Sequence, residues 1–377
     1  MEMNLNIHSF LDSHLVEARN LLIELAQIPA PSHYEQKRAE FCARWLREQG
    51  ADGVFVDDTF NVVYPIGCTE FNDLYVFIAH SDVVFPDTTP LPLTVTEDRI
   101  LCPGVGDDTA NVVALMMAAK YIARNQLIPK DCGILLIINS CEEGLGNLKG
   151  CREIMKNYGH RIREFITFDG YARSIMNRAV GSRRYQICVE TEGGHSYSKF
   201  GNRNAIAELA NIIASLYAIA VPKSGKTTFN VGTISGGTSV NTIAQYAEML
   251  YEFRSDEKEG LEYMEKAFRN VIHTAEETGL SVTVTQVGDR PCSGVVNPVV
   301  QNALTTRAME TVSTYFGISP ALCSGSTDCN IPLSMGIPAV CVSCIDGAGA
   351  HTRGEYILLD SQRPGLSVAL SLILHHV

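Results

Sequence analysis

The sequence lacks basic clusters: no run of Lys or Arg is longer than a pair such as Arg183-Arg184. Its 30 Lys and Arg stand against 42 Asp and Glu, a net charge of −12. Nucleic-acid binding needs clustered cations over phosphates, so that class is excluded. Long apolar runs are missing as well. The longest, such as Gly133 to Asn139, are strand-sized, far below the roughly 20 residues that a membrane span requires. Residues 1–10 carry neither a basic n-region nor an apolar h-region, so no export signal is expected. The 12 cysteines are scattered and form no zinc-ribbon pattern. The nearest approach, Cys341 and Cys344, stands alone in the apolar run Ala339 to Ile345. Reduced core thiols in a cytoplasmic protein are the expectation. Repeats and low-complexity segments are also absent.

What is present is a long chain with ample material for a core: 377 residues, 46% of them hydrophobic, which favours two domains. Helical spacing of apolar residues runs from Phe10 to Ile28 and stops at Pro29-Ala30-Pro31; a second helix is predicted from Tyr34 to Gln49. Strands and helices then alternate: strands at 61–65, 74–79, 133–140 and 164–168, helices at 111–124 and 148–158. That order predicts an α/β fold, a mostly parallel sheet covered by helices. The pattern changes near Val180. Strand 185–191, helix 205–218, strands 227–234 and 248–254, helix 260–278 and strand 281–287 follow a β-α-β-β-α-β order, the ferredoxin-like arrangement. Sheet-and-helix character resumes from Pro298, with a strand at 339–345 and a last helix at 359–375. An α+β domain over residues 181–290 inserted into a larger one, 1–180 with 291–377, is the predicted organisation.

Four segments fall where strands of the larger sheet should end: Ala79-His80-Ser81-Asp82, Gly106-Asp107-Asp108, Cys141-Glu142-Glu143-Gly144 and Phe168-Asp169-Gly170. A fifth, Ala350-His351-Thr352, follows the last strand. Ligands of open α/β sheets bind at the carboxyl ends of the strands, so these loops should converge. So many carboxylates and imidazoles together need a compensating charge. Two divalent cations would supply it, and nitrogen and oxygen ligands without thiolates suit zinc, or cobalt or manganese. Such a pair, about 4 Å apart, shares one carboxylate and a water. His80 can ligate while Asp82, two residues on, takes its second ring proton. Glu142 and Glu143 cannot point the same way from an extended segment, so one should ligate and the other act as general base.

These segments resemble the co-catalytic zinc peptidases and deacylases, the family that includes peptidase T, glutamate carboxypeptidase, acetylornithine deacetylase and succinyl-diaminopimelate desuccinylase. The resemblance extends to Pro29-Ala30-Pro31-Ser32, Asn230-Val231-Gly232, Gly236 to Ile243, and Ser326-Thr327-Asp328 leading to Gly336-Ile337-Pro338-Ala339-Val340. The last pattern and the Asp107-Asp108 pair look closest to the peptidase T branch. The resemblance implies that His80 and Asp169 bind one zinc, that Glu143 and His351 bind the other, and that Asp107 bridges them across a cis peptide to Asp108. It makes Glu142 the general base and Asp82 the partner of His80. The inserted domain would be a lid and dimerisation domain, whose Gly194-His195-Ser196 places His195 in a partner subunit's site to hold the oxyanion. Asn241 and Arg254 would contact substrate, Arg254 through a carboxylate. The implied activity is hydrolysis of small peptides by a homodimer. An N-acyl amino acid deacylase is the alternative, and a metal-binding protein without catalysis a second. The chain departs from the family at Asp107-Asp108-Thr109-Ala110, where many members have Asp-Met-Lys-Gly, and lacks the proline that often follows Gly-His-Ser.

Plainer readings exist for several of these residues. Asp108 before a helix suits an N-cap. Arg254 at a strand end could be an edge charge that discourages strand pairing. Cys141 has no histidine in a recognisable partner position and reads as core packing, and His33 matches nothing and reads as a surface or packing residue.

Overall fold

The computed structural model describes residues 2–377, with side chains from residue 7 onward; the first residues of the segment read as free of an export signal lie outside that range. The chain divides into two compact units. One ends at Ala179 and resumes at Gly294; the other spans Val180–Ser293.

The first unit is built on an eight-stranded sheet in the order Phe55–Val56, Val62–Ile66, Gly133–Asn139, Leu74–His80, Ile162–Phe168, Ala339–Val342, Ser174–Ala179, Ala321–Gly325. The middle four, from Gly133–Asn139 to Ala339–Val342, run parallel, and antiparallel pairings flank them. Gly133–Asn139, Gly-Ile-Leu-Leu-Ile-Ile-Asn, is buried at every position. That is what a parallel strand between two helical layers requires, and why it reads as an unbroken apolar run. The helix Asn111–Arg124 is buried from Asn111 through Ile122 for the same reason. A smaller antiparallel sheet pairs Tyr356–Leu358 with Arg99–Leu101, which in turn pairs with Thr94–Val95. Among the described residues no helix is long and apolar enough to cross a membrane.

The second unit is an antiparallel four-stranded sheet in the order Thr227–Gly236, Tyr246–Ser255, Gly181–Glu190, Ser281–Arg290, with the helices Ala205–Tyr217 and Lys258–Glu277 between strands. This is the ferredoxin-like order. Tyr246–Ser255 buries every second residue, and Lys258–Glu277 buries Gly260, Leu261, Met264, Phe268 and Ile272, the three-or-four spacing of a helix with one core face. Phe268 stacks on Tyr185 with ring centroids 4.5 Å apart, joining helix to sheet.

Several strand ends differ from expectation. Ser174–Ala179 and Ala321–Gly325 carry no readable periodicity, since they lie at the sheet's margin and Ala321–Gly325 has no fully buried residue. The last core strand stops at Val342 rather than running on to Ile345, because Ser343 turns its hydroxyl onto the Gly170 and Ile345 carbonyls.

Candidate active site

The four parallel strands end on one side of the sheet, so His80, the loop after Asn139, Asp169 and the segment after Val342 gather there. His80 closes its strand, opposite Asn139. Its backbone N–H donates to Asp108 Oδ2 at 2.9 Å. Ring Nδ1 lies 3.0 Å from the carbonyl oxygen of Asp82 and 3.5 Å from its carboxylate. A carbonyl oxygen only accepts, so Nδ1 carries a proton, and Nε2 is the ring atom turned inward. Asp82 thus meets the ring with both its backbone carbonyl and its carboxylate.

Nε2 of His80 lies 3.1 Å from Asp107 Oδ1 and 3.9 Å from Asp169 Oδ1. The other oxygen of Asp107 is 3.1 Å from His351 Nε2, itself 3.0 Å from Glu143 Oε1. The five residues form a chain, Asp169–His80–Asp107–His351–Glu143, with Asp107 offering one oxygen to each imidazole. Asp107 and Asp108 are joined by a cis peptide. Asp108 is not a helix cap: its oxygens take the His80 N–H and, at 2.7 Å, the Asn111 side-chain amide.

This chain has more acceptors than donors. Nε2 of His351 carries at most one proton yet faces two carboxylates, and the buried Oε1 of Glu143 makes no well-formed hydrogen bond. Protons fill the deficit where no cation does. The close approach of Asp107 and Glu143 pushes His351 up to about 10. Burial raises Glu143 to about 6 against the nearby His351 ring, and burial with the Asp107 charge raises Asp169 well above its usual range. Burial works against a charged His80, but the charge of Asp108 and the contacts with Asp107 and Asp82 outweigh it and raise the imidazolium. Divalent ions can displace these protons, and the nitrogen and oxygen donors fit zinc, cobalt or manganese. His80, Asp107 and Glu143, and separately His80, Asp108 and Asp169, stand close enough to share an ion.

The wholly buried carboxylate of Asp82 holds the neighbouring loop. It accepts from the backbone N–H groups of Glu142 and Glu143, both at 2.9 Å, and from the Ser32 hydroxyl at 2.6 Å. Glu142 is 5% exposed; burial foremost, with the Glu142 charge adding to it, raises Asp169 and Asp328. Asp328 itself is fully buried and accepts from Asn139 at 2.7 Å. The Ser326-Thr327-Asp328 motif was visible in the sequence, but nothing in it pointed to this contact.

Cys141 does have a histidine neighbour. Its sulfur lies 3.4 Å from His33 Nδ1 and 3.3 Å from Glu35 Oε1, the oxygen that also accepts the backbone N–H groups of Cys141 and His33. His33 is exposed and rests against this sulfur, in keeping with a surface residue. Left-handed backbone at both residues, φ 75° and 58°, makes the contact, and spacing in the sequence cannot show that. Burial and the Glu35 and Asp82 charges push the thiol up to about 12, so it is no nucleophile.

The remaining candidates lie in the second unit. Gly194–His195 pairs with Thr242–Ile243, His195 opposite Thr242, and the Asn241 carbonyl accepts from the Ser196 N–H, so His195 and Asn241 share one short ribbon. His195 is exposed, with Nδ1 accepting the Tyr197 N–H at 3.2 Å. Arg254 sits on an interior strand, not an edge, and grips both oxygens of Glu252 at 2.9 and 3.1 Å.

The sequence profile of the family described as Peptidase family M20/M25/M40 matches residues 76–375. A probable carboxypeptidase of Paracoccidioides brasiliensis is 24% identical over 303 residues, covering 72% of this chain and 67% of that protein. The chain spans between 59% and 69% of the length of the curated relatives it matches. Among solved structures, the aminopeptidase PepT of Bacillus cereus is similar with a TM-score of 0.70 at 20% identity, over 95% of this chain and 98% of that one. The di-peptidase Dug1p of Saccharomyces cerevisiae is similar with a TM-score of 0.78 at 15% identity, over 98% of each. These structures share the fold.

Proposed function

The chain belongs to peptidase family M20/M25/M40, and from that membership we propose a hydrolase of small peptides that works with two divalent ions. His80 and Asp169 would hold one ion, Glu143 and His351 the other, with Asp107 common to both. The observation that carries this reading is the pair of 3.1 Å approaches by which Asp107 gives one oxygen to His80 and the other to His351. Bound ions supply Lewis acidity for the scissile carbonyl and acidify a water. Zinc is the first choice for this donor set, cobalt and manganese the others.

Glu142 is the general base. It is buried beside Glu143, its backbone is fixed by Asp82, and a carboxylate so placed can take the water's proton and return it to the leaving amine. His195, exposed on its ribbon, supports a second role: donation to the oxyanion from a partner subunit, with Asn241 beside it for substrate. A homodimer follows from that role. Arg254 would exchange its Glu252 partner for a substrate carboxylate. The similar proteins whose names specify peptidases support a peptidase over an N-acyl amino acid deacylase; a peptidase T-like di- or tripeptide aminopeptidase is the form proposed here, and the retained Glu142 speaks against an inactive metal binder. All 12 cysteines are free, which suits the reducing cytoplasm.

The test is a panel of free-amino-terminal di- and tripeptides against N-acetyl and N-succinyl amino acids, run with zinc, cobalt or manganese. The Glu142→Ala variant should lose turnover while keeping the parent's metal content. Undiminished hydrolysis by that variant refutes the assignment of the base.

A further inference from the structure

Glu355 lies four residues beyond His351, in a stretch to which the sequence assigned no role. Its side chain is 1% exposed, and among the described residues no Lys or Arg pairs with it. Its carboxylate instead gathers backbone donors from a single loop. Oε2 accepts from the Gly104 N–H at 2.6 Å, and Oε1 from the N–H groups of Gly106 at 2.9 Å and Asp107 at 2.8 Å. The Tyr171 hydroxyl adds a fourth donor at 3.3 Å. The Glu355 carbonyl accepts from Cys102, and Tyr356 pairs with Leu101 in the small sheet. Glycine is required where the loop closes on this group. A Cβ on Gly106 would stand 2.7 Å from the Tyr171 ring and 3.1 Å from Glu355 Oε1.

A lone buried carboxylate is costly, and a fold keeps one where it does something an apolar side chain could not. Here it binds the loop that ends in Asp107 to the loop that carries His351. The His80 side has its own anchor, the bond from the His80 N–H to Asp108. We propose that Glu355 is a positioning residue that fixes Asp107 relative to His351, so that it governs the ion position formed by Glu143 and His351 and leaves the His80–Asp169 position largely untouched. The inference rests on the two-ion reading given above.

The full chain, stripped with a chelator, is titrated with Co²⁺ and followed by calorimetry and visible absorption, parent beside Glu355→Gln. The glutamine keeps the volume but turns an amide donor against backbone N–H donors. One of two Co²⁺ affinities should fall by about 10- to 100-fold, the range for ligand-supporting residues, while the other changes little. The melting temperature of the stripped variant separates this effect from general loss of structure, which would weaken both positions together. Gly106→Ala approaches the same contact from the loop side with the carboxylate intact, and should weaken the same position even if the glutamine variant does not fold. A parent that takes up fewer than two ions overturns the two-ion reading and this inference with it. A parent with two ions, beside variants whose two affinities are unchanged or fall equally, overturns this inference alone.

Discussion

Replacing Asp82 by Asn removes one acceptor atom from a buried group that serves three donors. Whichever way the amide turns, its nitrogen confronts the N–H of Glu142 or that of Glu143, which are held by Oδ1 and Oδ2. Both residues are about 5% exposed or less, so no bulk water replaces the lost acceptor. One stranded backbone donor costs about 1–3 kcal/mol. The remaining bonds lose the reinforcement of a full negative charge, roughly half their strength. Together these put the destabilisation near 3 kcal/mol. Urea unfolding of the metal-free chain measures it directly, as a shift of midpoint at constant slope. The loop that carries Glu142 should also loosen, so kcat falls while metal content stays, because Nδ1 of His80 keeps its carbonyl partner at 3.0 Å. A loss below about 1 kcal/mol with kcat intact would refute the claim that this carboxylate organises the Glu142–Glu143 backbone. Loss of metal at unchanged stability would mean that Asp82 acts chiefly by orienting the imidazole.

Three further outcomes are expected. The stripped protein should lose stability as pH rises from about 4.5 to 7, because burial raises Glu143 to about 6 and Glu355 to about 7. Folded-state values above the unfolded ones give a contribution that is full below the unfolded pKa and gone above the folded one, on the order of 3 kcal/mol for Glu355. Melting temperatures at pH 5 and pH 8 that are equal, or higher at pH 8, contradict this. Iodoacetamide should spare activity, since a thiol pushed to about 12 is thiolate only to the order of 1 part in 10,000 at pH 8; rapid inactivation mapped to Cys141 would speak against it. Finally, Glu142→Gln and His195→Ala, each inactive alone, should regain about a quarter of parental activity when mixed and allowed to exchange subunits, since half the dimers then hold one intact site. A mixture that stays inactive after proven exchange rules out His195 acting across the dimer.

Gly133–Asn139 and Asn111–Arg124 were readable in the sequence because burial on all sides leaves an unbroken apolar signature. Ser174–Ala179 was not, since at the sheet margin only Ile175 and Ala179 are buried. The five residues of the Asp169-to-Glu143 chain were legible for a topological reason: ends of parallel strands meet, and residue type does the rest. The supporting carboxylates were legible only in part: Asp82 was named as the partner of His80, but not as the group that holds the Glu142–Glu143 backbone, and Glu35 and Glu355 were not named. Asp82, Glu35 and Glu355 act on backbone N–H groups, which every residue but proline possesses, so no letter marks the recipient. Asp107 and Asp108 differ only in the direction the backbone gives them. The contact of His33 with Cys141 spans 108 positions and depends on left-handed backbone at both ends.

The chain of five is unevenly open to solvent. The His80 side chain is 1% exposed and that of Asp169 10%, whereas His351 is 56% exposed. If two ions bind as proposed, one on the enclosed side would leave only after the protein opens, while one held by His351 would meet solvent through the swing of a single ring. The two positions should therefore exchange at different speeds, with a half-loaded form between empty and full. If both ions are needed for turnover, such a protein acts as a gauge: its activity follows the supply of free metal through the open position, while the closed one keeps the site assembled during scarcity.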